Sequence, residues 1–275
     1  MIKRILVTSD LSSRSDRAVE RAVQLAGQHG AKIVLMHVID DDLPAPVVAQ
    51  MRETATETMQ AVLNSANAPE ETEITVESGE AVRTITEMAE TIDADLVVLG
   101  VHRPRPFWDM FAGTTMERLV RALNKPVLLV RDPVTGPYQS VLCGIDLSPS
   151  CLAAGRTAMA LAPEAAVNTF HAVHVPYRGM IARDASEKHL APFVKEAQIH
   201  LDTWWAEADI PEGLPKPDIS PASVNDVYTA SLTESDADLF ALGAHGRMPL
   251  SPSLLGGFTE AQIRDPRCDL LVVRG

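Results

Sequence analysis

The stretch Ile5-Leu-Val-Thr-Ser-Asp10-Leu-Ser12 recurs later in the chain as Val141-Leu-Cys-Gly-Ile-Asp146-Leu-Ser148. In both places a short apolar run ends in an aspartate. Two later landmarks recur in the same order, a glycine that ends an apolar run and an arginine that ends another: Gly100 and Gly243, Arg131 and Arg274. The offset is 146 − 10 = 136 at the aspartate, and 243 − 100 = 274 − 131 = 143 at the later landmarks. The chain is therefore predicted to be a duplication whose second copy gained 143 − 136 = 7 residues in its middle.

Length and composition agree with two domains. A chain of 275 residues fits two units at about 150 residues each. We predict domains at residues 1–133 and 138–275, joined by a turn-rich linker at residues 132–139. Because the linker is short, the two domains are expected to stay in contact.

Charge and cysteine content exclude several classes of protein. The formal charge is −13, divided as 14 − 20 = −6 over residues 1–137 and 10 − 17 = −7 over residues 138–275. Neither half has the basic surface that nucleic-acid binding needs. The start resembles no signal peptide, and no apolar run approaches the roughly 18 residues of a membrane span. Three cysteines are too few for a disulfide framework. We expect no nucleic-acid partner, no membrane contact and a cytoplasmic location.

Strand-like and helix-like patterns alternate in each copy. In the first copy, apolar runs predict strands at residues 5–7, 32–39, 74–76, 96–99 and 127–130, and helical spacing predicts the segments between them. Such alternation implies a parallel sheet with right-handed crossovers. The predicted fold is α/β, with two tandem, doubly wound, five-stranded, Rossmann-like domains of strand order 3-2-1-4-5. A proline-rich loop is expected at residues 211–221 of the second copy.

The predicted strand order places the repeated landmarks together. Ligands of open α/β sheets bind where the strand order reverses, between the first and fourth strands, where Asp10 and Gly100 stand. Gly113-Thr114-Thr115 at a predicted helix start offers backbone N–H groups and hydroxyls that suit a phosphate. A purely structural interpretation is also open, in which Gly100 makes a strand exit and Thr114 caps a helix.

The combined motifs resemble the universal stress protein family, in the adenine-nucleotide alpha-hydrolase-like superfamily, over nearly the whole chain. ATP-binding members show an Asp after the first strand, a His-Val pair in the second, and Gly-x-x-Gly, nine residues and Gly-Ser/Thr after the fourth. This chain has the corresponding groups in both copies: Asp10, His37-Val38, Gly100 and Gly113-Thr114, then Asp146, His174-Val175, Gly243, Gly246 and Gly256.

The resemblance implies a set of adenine-nucleotide contacts. Asp10 would accept from the ribose hydroxyls, and the backbone of Val38 would contact adenine. The whole expected set is Thr8, Asp10, Val38, Gly100, Arg103, Gly113, Thr114 and Thr115, with Asp146, Val175, Gly243, Gly246, Gly256 and Gly257 as a second, weaker set.

Each copy departs from the family pattern once. In the first, Arg103 replaces the second glycine and either blocks the loop or contacts phosphate. In the second, Gly257 replaces the hydroxyl residue, which removes a donor to phosphate.

Three functional hypotheses remain open. The first is a stress-response module that binds ATP or AMP, with Mg²⁺, and signals to a regulatory protein, at most hydrolysing ATP very slowly. The second is a nucleotide-free tandem scaffold. The third is an enzyme such as an adenylyl transferase, for which no nucleophile is evident.

No Gly-Lys dipeptide occurs, so a P-loop is excluded. A strand would point His171 and His174 to opposite faces, so no metal site is expected. The two copies would form an intramolecular pseudo-dimer, with a further homodimer left open.

Overall fold

The computed structural model describes residues 2–101, 115–173, 187–244 and 255–274. In these ranges the first half alternates strands and helices as the sequence predicts. Its elements are β1 (Arg4–Thr8), α1 (Ser13–His29), β2 (Lys32–Ile39), α2 (Ala45–Ser65), β3 (Glu73–Ser78), α3 (Ala81–Thr91), β4 (Leu96–Gly100), α4 (Thr115–Ala122) and β5 (Val127–Val130).

The second half repeats this order. Its elements are β6 (Ser140–Gly144), α5 (Pro149–Leu161), β7 (Ala166–Ala172), α6 (Glu187–Glu207), β8 (Ile219–Ser220), α7 (Val224–Ser235), β9 (Leu239–Gly243), α8 (Gly257–Arg264) and β10 (Asp269–Val273). The two residues of β8 lie inside the predicted proline-rich loop, which is therefore extended but contributes a short strand.

All ten of these strands belong to one sheet, in the order β3-β2-β1-β4-β5-β10-β9-β6-β7-β8. Each half has the predicted 3-2-1-4-5 order, and neighbouring strands within a half are parallel. The halves meet where β5 pairs antiparallel with β10. This pairing merges the two predicted sheets into one.

The boundary between the halves has near-twofold symmetry. Leu128 pairs with Leu271, and these residues are equivalent because 128 + 143 = 271. The flanking helices obey the same rule. Arg121 donates to Glu260 at 2.6 Å, and its equivalent Arg264 donates to Glu117 at 2.5 Å. Such reciprocal contacts characterise an isologous interface.

Burial at the boundary follows from the apolar sequence of the two central strands. Every residue of β5 and β10 is buried. Either strand would be an exposed apolar edge in an isolated half, and such an edge is an aggregation hazard. Pairing them buries both edges and leaves β3 and β8 as the outer strands.

The helices use their apolar faces to cover the sheet. In α2, the buried residues Ala55, Met59 and Leu63 are spaced four apart and form one stripe. The opposite face of α2 is exposed and carries charged residues. Within the described ranges, no helix combines the length and the apolar character needed to cross a bilayer.

A buried polar cluster ties the linker to both halves. The carboxylate of Asp269, at the start of β10, accepts from the Tyr138 hydroxyl at 2.7 Å and from the Arg131 backbone N–H at 2.8 Å. The Arg21 guanidinium of α1 lies 3.4 Å from the same carboxylate and donates to the Gly136 carbonyl at 2.8 Å. Burial raises the pKa of Asp269, while these hydrogen bonds and the charge of Arg21 act in the opposite direction.

The three cysteines are free and buried. Burial raises the pKa of Cys143 to about 12, of Cys151 to about 11 and of Cys268 to about 12. Since the thiolate is the reactive form, these residues behave as small apolar core residues.

We predict that Asp269→Ala lowers the free energy of unfolding by about 3–5 kcal/mol, because it leaves the buried Arg21 without its counter-charge. Arg156→Ala is the matched control, since the Arg156–Asp209 pair is exposed, and it should cost at most about 1 kcal/mol. Urea denaturation followed by circular dichroism measures both. Equal effects in the two variants would show that the Asp269 cluster adds nothing beyond a surface ion pair.

We also predict that the native chain resists thiol labelling. Ellman's reagent at pH 8 should leave the folded protein essentially unlabelled over minutes, while about three thiols per chain should react in urea. Rapid labelling of one thiol without urea would contradict the burial described above.

Candidate functional site

A cavity of about 190 Å³ lies at the carboxyl ends of β1 and β4, where the strand order of the first half reverses. It is lined by five of the eight residues that the sequence predicts for the first site: Thr8, Asp10, Val38, Gly100 and Thr115. The other three, Arg103, Gly113 and Thr114, lie outside the described residues. The aspartate and the glycine that mark the duplication therefore do share one cavity.

Asp10 is held at this cavity by a tight turn. Its Oδ1 accepts from the backbone N–H of Ser12 at 3.1 Å and from the Ser12 hydroxyl at 2.7 Å. Leu11 between them has φ 62°, a left-handed conformation that is costly for a leucine. The Leu11 N–H donates to the Ser9 hydroxyl at 3.0 Å, which helps to hold this conformation. The turn fixes the position of the carboxylate without a contribution from a ligand.

The second half repeats the turn. Asp146 Oδ1 accepts from the Ser148 N–H at 3.1 Å and from its hydroxyl at 2.5 Å, and Leu147 also has φ 62°. Strain that recurs at two equivalent positions, each beside a cavity, is typical of functional turns.

Two helix starts contribute to the lining of the first cavity. Ala81 begins α3 and Thr115 begins α4, and both line the cavity. Backbone N–H groups at helix starts attract anions. Glu80 caps α3 by accepting from the Arg83 N–H at 2.8 Å, a bond that lowers its pKa, and it also pairs with Arg118 of α4 at 2.8 Å. This pair holds the two helix starts side by side.

The strand-end glycines are required by packing within the protein. A Cβ built on Gly100 would lie 2.8 Å from the Arg14 carbonyl oxygen in the first turn of α1. A Cβ on Gly243 would lie 2.7 Å from the Cys151 backbone nitrogen in the first turn of α5. In each half the first helix thus packs directly on the end of the fourth strand. Both glycines line a cavity, but it is the helix that occupies the space of the missing side chain.

A second cavity of about 440 Å³ occupies the equivalent place in the second half. Four residues of the predicted second set line it: Asp146, Gly243, Gly256 and Gly257. Val175 and Gly246 lie outside the described residues. The helix starts of α7 and α8 contribute Val224 and Gly257 to its wall.

Strand register corrects the alignment of the histidine motif in the second half. Ile33 pairs with Ile5, and Val167 pairs with Val141, so the second strands differ by 167 − 33 = 134. His37-Val38 therefore corresponds to His171-Ala172, and not to His174-Val175 as the sequence pattern suggests.

The same strand registers also show where the second copy gained its extra residues. Val76 pairs with His37 and Ile219 pairs with His171, so the third strands differ by 219 − 76 = 143. The second copy thus lost 136 − 134 = 2 residues before its second strand and gained 143 − 134 = 9 after it. The net gain of seven hid this change from the sequence comparison.

Side chains at equivalent positions give the two cavities different linings. Thr8 corresponds to Gly144 and Val38 to Ala172, so two side chains are smaller. Ser9 corresponds to Ile145, and Thr115 corresponds to Phe258, so two hydroxyls are replaced by apolar groups. The second cavity therefore has fewer polar side chains at these positions.

Two cavity residues have a role that the sequence motif did not reveal. His37 Nδ1 lies 2.8 Å from the Ser9 carbonyl oxygen, and His171 Nδ1 lies 2.7 Å from the carbonyl oxygen of Ile145, the equivalent residue. Each imidazole lines its cavity and supports the residue before the aspartate. The signal was present in the sequence as two histidines in corresponding strands, but the correct pair could not be chosen without the register.

The fold, the duplicated turn and the paired cavities define a tandem α/β protein of the universal stress protein class. The sequence model of the Universal stress protein family matches residues 1–131 and 137–274, so the chain belongs to this family and contains two of its domains.

Individual relatives agree with this assignment. The chain is 28% identical to the universal stress protein A homolog 1 of Coxiella burnetii over 139 residues, which cover 46% of this chain and 95% of the relative. It is 30% identical to the universal stress protein A homolog of Haemophilus influenzae over 126 residues, 42% of this chain and 88% of the relative. A universal stress protein structure from Archaeoglobus fulgidus covers 98% of both chains with a TM-score of 0.70 at 17% identity, which shows that the fold of the whole tandem is shared.

We predict that Gly100→Ala and Gly243→Ala each lower the free energy of unfolding by about 1–3 kcal/mol, because the new methyl group overlaps the backbone of a helix. Gly27→Ala is the control. Gly27 lies in α1, and an added Cβ would meet no atom within 4 Å outside the neighbouring backbone of its own helix, so alanine should stabilise the helix by about 0.5–1 kcal/mol. Chemical denaturation of the three variants measures the difference. If Gly100→Ala proved as stable as the native chain, the packing explanation for this glycine would fail.

Proposed function

We propose that this protein is a stress-response regulatory module that binds an adenine nucleotide, ATP or AMP, in the cavity of its first half. The proposal is carried by one observation: Asp10 and Gly100, with Thr8, Val38 and Thr115, surround a single cavity at the point where the strand order reverses. These are the residue types and positions at which the family motif implies nucleotide contacts.

Each contact has a physical basis. The Asp10 carboxylate, oriented by Ser12, accepts hydrogen bonds from the two ribose hydroxyls. The backbone of Val38 contacts the edge of adenine. The start of α4 at Thr115, together with Arg103 and Gly113-Thr114, receives the phosphates.

The size of the first cavity indicates how the nucleotide lies. A volume of about 190 Å³ is below the range of about 300–1,000 Å³ that is usual for small-molecule sites. The nucleoside therefore occupies the cavity, and the phosphates extend over the start of α4. Asp10 is the only carboxylate among the described lining residues, so Mg²⁺ would be held mainly through the phosphates.

The second cavity is the weaker candidate for the same ligand. It keeps Asp146 and its turn, and its volume of about 440 Å³ lies within the usual range. Gly257 and Phe258 stand where the first half has Thr114 and Thr115, so two hydroxyl donors to phosphate are missing. A nucleoside fits this cavity better than a triphosphate does.

Regulation follows from where the ligand binds. A nucleotide that contacts the starts of α3 and α4 stabilises the surface that these helices share, and a regulatory protein that reads this surface senses the bound state. A cytoplasmic location and a further homodimer belong to this proposal.

A nucleotide-free scaffold is the alternative. The small first cavity and the replacement of the second motif glycine by Arg103 favour it. In that case the tandem acts through protein contacts, and its cavities stay empty of nucleotide.

We predict that ATP or AMP binds to the native chain and that Asp10→Asn weakens the binding by about 10- to 100-fold. The variant loses a charged hydrogen-bond acceptor, which contributes about 1.5–3 kcal/mol. Asparagine keeps the oxygen that accepts from Ser12, so the turn is preserved. Isothermal titration calorimetry measures the affinity, and Asp41→Asn in an exposed loop is the control, with no expected effect.

The outcomes separate the hypotheses. If Asp146→Asn abolishes the heat of nucleotide binding and Asp10→Asn does not, the ligand binds in the second cavity and not in the first. The absence of heat and of any shift in melting temperature with either nucleotide would favour the scaffold, because a ligand bound only by the folded state must stabilise it.

A further inference from the structure

The imidazoles of His37 and His171 have a defined protonation pattern. Each Nδ1 lies within hydrogen-bond distance of a backbone carbonyl oxygen, at 2.8 Å and 2.7 Å. A carbonyl oxygen can only accept, so Nδ1 must carry the proton. A neutral ring then presents Nε2 as a hydrogen-bond acceptor.

The acceptor is placed where a ligand can reach it. Both imidazoles line their cavities, and His171 is buried with 5% of its surface exposed. The contacts to the Ser9 and Ile145 carbonyls use Nδ1 of each ring, so Nε2 is not engaged by them. A ring nitrogen that accepts no hydrogen bond from the described residues can accept one from a ligand in the cavity.

The two halves differ around this group but keep it. Ser9, Met36 and Val38 beside His37 become Ile145, Phe170 and Ala172 beside His171. The histidine and the aspartate stay the same. In both halves Nδ1 supports the residue before the aspartate, and Nε2 is the ring nitrogen left for a ligand.

We propose that His37, and His171 in the second half, select the ligand by the donor it offers to Nε2. This inference rests on the proposed nucleotide function. The exocyclic amino group of adenine is such a donor. A base with a carbonyl oxygen at the same position would place a second hydrogen-bond acceptor against Nε2, so it binds more weakly.

The first test needs no ligand. Long-range ¹H–¹⁵N correlation spectra of the histidine side chains at pH 8 report which ring nitrogen carries the proton. The expected result is the Nδ1–H form for both His37 and His171. The Nε2–H form at both positions would overturn the proposal, because Nε2 could not then accept.

The second test uses substitutions to distinguish the role of Nδ1 from that of Nε2. His37→Asn places an amide N–H near the position of Nδ1, so it keeps a donor for the Ser9 carbonyl and loses the Nε2 acceptor. His37→Gln places its amide near Nε2 and loses the Nδ1 contact. His171→Asn tests the second half in the same way.

The probes are ATP and inosine triphosphate, which differ in the amino or carbonyl group of the base. We expect the native chain to bind ATP at least about ten-fold more tightly, equivalent to about 1.4 kcal/mol, and His37→Asn to reduce this preference to about three-fold or less. Melting temperatures show whether each variant keeps the native fold.

Equal affinities in the native chain, or an unchanged preference in both asparagine variants, would overturn the assignment of Nε2. The absence of binding by either nucleotide would instead contradict the proposed function, and the spectra would still decide the protonation pattern.

Discussion

The antiparallel pairing of β5 with β10 is the interaction on which the rest of this structure depends. It converts two five-stranded units into one sheet and brings α4 and α8 together. These helices also carry cavity residues, Thr115 in one and Phe258 in the other. One wall of each cavity is thus braced by the other half of the chain. The carboxylate of Glu117, fully buried with Arg264 as its partner, shows that this bracing is part of the core.

The symmetry of this boundary is incomplete where the linker crosses it. Asp269 has no acidic counterpart, because the equivalent position, 269 − 143 = 126, is Pro126. Its carboxylate instead accepts from the hydroxyl of Tyr138, in the linker, and faces the guanidinium of Arg21 in α1 of the first half. A symmetric dimer of separate chains would have no need of this cluster. It is the feature that belongs to the tandem arrangement.

The recurring aspartate and glycine turn out to have different physical reasons. Gly100 and Gly243 are small because a helix backbone lies against them. Asp10 and Asp146 are held in strained turns. Each carboxylate accepts from a serine hydroxyl, and each aspartate lines a cavity. The structural interpretation that the sequence left open for the glycine is therefore supported, while the aspartate keeps its place as the principal candidate contact for a ligand.

Several features could be predicted because they depend on local patterns. Alternating apolar runs and helical spacings fix the order of strands and helices, and right-handed crossovers then leave few topologies. The meeting of Asp10 and Gly100 followed from that topology. The register of the second half could not be predicted, since a loss of two residues and a gain of nine appear in sequence only as their difference. This is why His174 was paired with His37 in place of His171.

The sequence by itself determined the duplication, the α/β class, the strand order and the identity of the residues that close each first strand. It did so because backbone periodicity and the chemistry of turns act over a few residues. Only the tertiary structure decided which histidine reaches each cavity, why the strand-end glycines are glycines and how the halves share one sheet. Those outcomes depend on contacts between residues about 30 to 150 positions apart, and no local pattern records such distances.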